Sequence, residues 1–206
     1  MKILQLSPAV RWLSVVVLSL LVSVAARAEQ TPHQVVEGVT ADVLQVVQDK
    51  KALPDEQPEV FYQAVSEVLS PVIAFDYIAR GVMGRYAKQA TPEQRQRFTE
   101  AFQSDLINTY AKGMAAFGEE RIEVLPPEGD IAGQKRVSVV QKVYTADGEN
   151  IVSYTMGKSK KTNEWKLLNV VINGVNLGQT FRSQFAQAMQ EAGDLEQVIT
   201  DWSAQS

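Results

Sequence analysis

The stretch V-I-N-G-V-N-L-G-Q-T-F-R-S-Q-F, Val171 to Phe185, changes its periodicity halfway along. Up to Leu177 the apolar side chains fall at strand spacing. From Phe181 onward Phe181, Phe185 and Met189 recur every four residues, as on one face of a helix. Asn173-Gly174 and Leu177-Gly178 punctuate the change, and Arg182 stands beside the first aromatic. An apolar strand therefore runs into an amphipathic helix with almost no connection between them.

Upstream the two-residue period continues. Trp165 to Leu177 reads as one long strand, and the polar turn Lys158 to Asn163 separates it from a strand with Val152, Tyr154 and Met156 on one side. The turn Ala146-Asp147-Gly148-Glu149 leads back to Val137, Val139 and Val143, and Ile122 and Val124 precede Pro126-Pro127. Short turns between consecutive strands make an antiparallel meander.

Before Gly118 the period is helical. Thr31-Pro32 caps and begins a helix with the stripe Val35, Val36, Val39, Val43, Val46 and Val47, and Lys50 and Lys51 suit its end. Pro58 starts a second helix with Phe61, Val65, Val68 and Leu69, closed by Ser70-Pro71. A short helix spans Phe75 to Gly84. T-P-E-Q, Thr91 to Gln94, opens a long one in which Phe98, Phe102, Leu106, Tyr110 and Met114 fall at intervals of four and Phe117 follows. A final helix from Asp194 to Trp202 docks through Leu195, Val198, Ile199 and Trp202. Helices first, a curved antiparallel sheet next and helices last is an α+β arrangement.

The first 28 residues stand apart. Lys2 and Arg11 precede the apolar run Trp12 to Val24, which ends at Ala26-Arg27-Ala28, the layout of a secretory signal cleaved before Glu29. Residues 29–206 are then expected to form one domain. The signal holds three of the 20 Lys and Arg and none of the 24 acids, so the mature chain has 17 bases against 24 acids, a net charge of −7. That balance argues against nucleic acid or an anionic membrane as a standing partner. With no cysteine, there is neither a disulfide nor thiol chemistry.

Catalytic groups are scarce. His33 is the only histidine and is expected to be a solvated residue near the mature N-terminus. No metal-ligand spacing occurs, and Glu119-Glu120 beside Arg121 read as solvated turn residues. Asp76, between Phe75 and Tyr77, is the carboxylate to examine first, although an Asp opening a short helix is normally a dipole partner. Arg182 has two readings: a tie between strand and helix, or a contact to an anionic ligand at a cavity mouth. The apolar stripes fit a filled core or an open one.

Five segments, in order, resemble one family: F-D-Y-I-A-R-G-V-M-G (75–84), T-P-E-Q-R-Q-R-F-T-E-A-F (91–102), L-I-N-T-Y-A (106–111), E-W-K-L-L-N-V-V-I-N-G-V-N-L (164–177) and F-R-S-Q-F (181–185). They are similar to the MlaC family, also called toluene-tolerance proteins, which are periplasmic phospholipid carriers of an ABC-transport system that maintains outer-membrane lipid asymmetry. Where that family more often carries Asp, Glu and Ser, this chain has Asn169, Asn173 and Asn176.

The resemblance implies a cone-like, NTF2-like sheet covered by helices, with an apolar cavity that shelters acyl chains. The implied wall is Ile78, Val82 and Met83 on the short helix, and Phe98, Phe102, Leu106, Tyr110 and Met114 on the long one. Val139, Val152, Tyr154, Met156, Val170, Ile172, Val175 and Leu177 would come from the sheet, and Phe181, Phe185 and Met189 from the next helix. It further implies no catalysis, no cofactor beyond phospholipid as cargo, and a monomer. The implied partners are an inner-membrane MCE-protein/ABC complex and an outer-membrane lipoprotein complex. Two rivals are an enzyme on a similar cone, using Asp76, Tyr77 or Tyr154, and an adaptor whose apolar faces only fill its core.

Overall fold

Thr31 and Gln34 cap the first helix reciprocally: Thr31 N–H donates to Gln34 Oε1 (2.9 Å) and Gln34 N–H to Thr31 Oγ1 (3.2 Å). The computed structural model describes residues 30–50, 53–115 and 121–205. The expected signal peptide, Lys51, Phe117, Gly118 and the Glu119-Glu120 pair lie outside them.

Helix α1 (Pro32–Asp49) is followed by a single turn, α2 (Leu53–Glu56), and by α3 (Pro58–Leu69), which Pro58 opens. α4 (Phe75–Met83) passes into a 3₁₀ turn at Gly84–Lys88, and α5 (Pro92–Ala115) starts at the second reciprocal cap, Thr91 with Gln94. The sheet comprises β1 (Arg121–Val124), β2 (Arg136–Thr145), β3 (Gly148–Lys158), β4 (Trp165–Ile172) and β5 (Val175–Asn176), antiparallel throughout in the order β1-β2-β3-β4-β5. α6 (Leu177–Ala192) and α7 (Leu195–Gln205) finish the chain. The expected strand Trp165 to Leu177 is therefore broken. Asn173 (φ 47°) and Gly174 (φ 84°) fold it into a two-residue hairpin, where positive φ favours Asn and Gly, and Leu177 begins the helix instead.

A bulge lies where β3 faces β4: Thr155 pairs with Asn169 but Met156 pairs with Leu167, leaving Leu168 unpaired. One extra residue reverses the inward and outward alternation. Leu167, rather than Leu168, therefore shares the concave side with Val170 and Ile172. The segment before α4 is sewn to the same strand, with Leu167 N–H donating to Val72 O (2.8 Å) and Ala74 N–H to Leu167 O (3.0 Å).

The apolar interior falls into three groups. Phe98 and Phe102 of α5, Phe185 of α6 and Ile199 of α7 pack with Val82 and Met83 of α4 in an aromatic block, with ring centroids 4.9 Å apart for Phe98–Phe185 and 5.4 Å for Phe98–Trp202. Val47, Phe61, Val65, Phe75, Ile107 and Ala111 hold α1, α3 and α4 against α5. Val36 of α1 meets Val137, Val139, Met156 and Trp165 of the sheet. His33, expected in solvent, is buried (8 % exposed), and its Nδ1 meets no hydrogen-bond partner among the described residues. The N-terminal turn of α1 lies on the protein, so His33 is not left in solvent.

Candidate functional site

Between α1, α4, α5, α6 and the concave face of the sheet lies a cavity of about 540 Å³ with an almost wholly apolar wall. Each side is built from the sequence periods already noted. The valine stripe of α1 contributes Val36, Val39, Val43 and Val47, and the four-residue series of α5 contributes Phe102, Leu106, Tyr110 and Met114. Val152, Tyr154 and Met156 come from alternate positions of β3.

Of the expected wall, the structure brings together Ile78, Phe102, Leu106, Tyr110, Met114, Val152, Tyr154, Met156, Val170, Ile172, Leu177 and Phe181. Seven residues fall elsewhere. Val82, Met83, Phe98, Phe185 and Met189 are consumed by the aromatic block, because α7 packs Val198 and Ile199 against them. Val139 is sealed between the sheet and α1. Val175 sits on the two-residue strand β5 and is 56 % exposed. Missing from the expectation were the α1 valines, together with Leu69, Ile73, Phe75 and Ile107. The α1 stripe was legible as an apolar face, but nothing in its period says whether a helix or a void lies opposite.

The floor carries one polar chain. Tyr154 Oη donates to Gln141 Oε1 (2.7 Å), and Gln141 Nε2 donates to Thr40 Oγ1 (2.8 Å). Burial pushes the Tyr154 phenol up to about 12, because its anion would have no water around it. Its proton is thus fixed at neutral pH, and the chain joins β3, β2 and α1 beneath the cavity. Asp76 and Tyr77 do not belong to this group. Both are exposed on the outer face of α4, where Tyr77 Oη accepts from Arg136 Nη2 (3.0 Å). Among the described residues no cluster of three or more His, Asp or Glu is placed to hold a metal.

A second groove of about 460 Å³ runs outside the first, between α5, α6 and α7, and Leu106, Tyr110 and Phe181 line both. One layer of side chains divides them. Burial, followed by the charge of Asp105, raises the Tyr110 pKa.

At the start of α6 the asparagines act on backbone. Asn169 Oδ1 accepts from Gly178 N–H and Asn176 Oδ1 from Gln179 N–H, both at 3.1 Å. Asn173 Oδ1 accepts from Ile151 N–H (2.8 Å) while its Nδ2 donates to Asn150 Oδ1 (2.8 Å). Arg182, by contrast, is exposed and makes no hydrogen bond or ion pair among the described residues. Its guanidinium lies over Gly84, where an added Cβ would come within 3.2 Å of Nε. The tie between strand and helix is made by asparagines, not by Arg182.

The sequence profile described as MlaC protein matches residues 37–204. The chain belongs to the MlaC family. It is 39 % identical over 181 residues to toluene tolerance protein ttg2D of Pseudomonas putida, covering 86 % of this chain and 82 % of that protein. It is 22 % identical over 179 residues to the intermembrane phospholipid transport system binding protein MlaC of Haemophilus influenzae, covering 86 % and 83 %. Among solved structures, it resembles a phospholipid-binding protein from Ralstonia solanacearum in complex with a phospholipid. The TM-score is 0.77 at 27 % identity, over 85 % of this chain and 98 % of that one. In this MlaC-family chain Asn169 and Asn176 supply the caps of α6 through amide oxygens, so the start of that helix needs no carboxylate.

Proposed function

We propose that this chain, after loss of residues 1–28, is a periplasmic phospholipid carrier. It moves lipid between an inner-membrane MCE-protein/ABC complex and an outer-membrane lipoprotein complex and so maintains outer-membrane lipid asymmetry. The observation that carries the reading is the apolar cavity of about 540 Å³ in a fold similar to that of a phospholipid-bound protein. Two acyl chains bring about 30 methylenes, and at roughly 0.8 kcal/mol each their transfer into water costs on the order of 25 kcal/mol. A wall of valine, leucine and aromatic side chains removes most of that penalty without reading a head group.

The carrier acts as a monomer, without a catalytic step and without a resident cofactor. Tyr154 supports this reading: its hydroxyl is occupied by Gln141, and Asp76 and Tyr77 face away from it. Native mass spectrometry of the mature protein tests the proposal. A bound mass of phospholipid size, lost on organic extraction, is expected. Protein that is empty as purified and takes up no lipid from vesicles would overturn it.

A further inference from the structure

The composition of the whole chain hides an uneven distribution of charge. The segments 76–88, 131–140 and 157–190 carry ten Lys and Arg against two carboxylates, Asp76 and Glu164. The other described residues carry six Lys and Arg against nineteen carboxylates. Glu164 is already neutralised by Lys166 at 2.8 Å.

The fold joins these segments into one strip. Lys158 N–H donates to Lys135 O (2.9 Å), which sets the β3–β4 turn with Lys160 and Lys161 beside the start of β2. Arg136, the next residue, reaches Tyr77 on α4 (3.0 Å). Tyr77, Arg80 and Gly84 follow one another along the outer stripe of α4 at helical spacing, and Arg182 lies over Gly84. Lys135, Arg80, Lys160, Lys161 and Arg182 are all exposed and form no ion pair among the described residues. The strip follows the outside of the molecule, and none of its charged residues lines the cavity.

We infer that this strip, from the β3–β4 turn across α4 to Arg182, is a docking surface for an acidic face of a protein partner. The inference rests on the carrier reading, which supplies the reason for docking. A bounded acidic patch engages the strip alone, whereas an anionic bilayer is a plane that also meets the carboxylates at its edges. Membrane docking further calls for a cluster of apolar side chains to insert, whereas the large exposed apolar side chains of these segments are Tyr77, with its hydroxyl held by Arg136, and Val175 on β5. Clustered cations opposite clustered anions raise association rates and fix orientation, and both effects fade with salt.

The test uses the full mature protein with a fluorescent ten-glutamate peptide and with phosphatidylcholine vesicles containing phosphatidylglycerol. The variant Arg80→Glu/Lys160→Glu/Lys161→Glu is compared with Lys50→Glu/Lys112→Glu, which changes cations outside the strip. The expected result is peptide binding at low salt that weakens by about tenfold or more in the first variant only. Co-purified phospholipid should be unchanged in both variants. Equal weakening in the two variants, or no peptide binding by the wild type, overturns the inference. Strip-dependent binding to vesicles but not to peptide overturns it in favour of a membrane. Absence of phospholipid from the wild type would count against the carrier reading itself and is read separately.

Discussion

At Tyr154 a phenol sits among hydrocarbon with its proton given to Gln141, and its pKa rises from the usual 10.0 to about 12. The unfolded chain releases that proton near 10.0 and the folded chain near 12. Between those values the folded state therefore binds more protons, and stability falls as pH rises; below pH 10.0 the contribution is complete. Chemical unfolding from neutral pH upward should show wild type losing on the order of 2–3 kcal/mol more than Tyr154→Phe across this window. Parallel curves for the two proteins would mean that water reaches the phenol. Gly84 gives a second residue-scale outcome. Its backbone (φ 56°, ψ −123°) lies outside the range of L side chains, and an added Cβ would meet Arg182 Nε at 3.2 Å. Gly84→Ala should cost about 1–3 kcal/mol in denaturant unfolding. Arg182→Ala, which removes no hydrogen bond among the described residues, should stay within about 0.5 kcal/mol of wild type. Equal losses would instead make the guanidinium the part that matters.

The wall of β3 allows a test with its own control, because successive residues face opposite ways. Val152 lines the cavity, while Ile151 is 44 % exposed on the other side. Val152→Glu should abolish lipid retention and lower the melting temperature, since an unpaired charge in hydrocarbon costs several kcal/mol. Ile151→Glu should change neither. Native mass spectrometry and thermal unfolding read both, and lipid retained by folded Val152→Glu would remove this strand from the pocket. Elements of this kind were legible in the sequence because their signals are local: the cap at Thr31, the Thr91–Gln94 capping pair, the period of α5 and the turns of the meander. The bulge at Leu168 was not. In W-K-L-L-N-V-V-I either leucine could face inward, and only pairing with β3 decides. Nor was the break at Asn173-Gly174 read as a turn, because Val175 and Leu177 continue the strand spacing beyond it.

For the molecule as a whole, the sequence told which faces are apolar but not which of them meet. Phe98 and Phe102 lie one turn apart on α5, yet Phe98 belongs to the filled block and Phe102 also borders the cavity. The difference is made by α7, which is distant in sequence. Net charge behaved in the same way: a sum of −4 over the whole chain concealed a face of opposite sign. Cargo should stabilise the loaded state by mass action, so lipid-loaded protein should melt above protein stripped with solvent and refolded. Coincident melting would place the lipid outside the folded interior.

The aromatic block of α4 to α7 is complete without cargo, its centre closed by Phe98, Phe185 and Ile199 at 0–1 % exposure. A courier must also make the return leg with nothing on board, and a protein whose only interior were its hold would collapse on delivery. Here the chassis and the hold are separate compartments that share their bulkheads, α4, α5 and α6, while α7 belongs to the chassis alone. In amide hydrogen exchange, unloading should quicken α1 and β3 while α7, which does not border the cavity, keeps its protection. Uniform quickening would mean that the passenger holds the vehicle together.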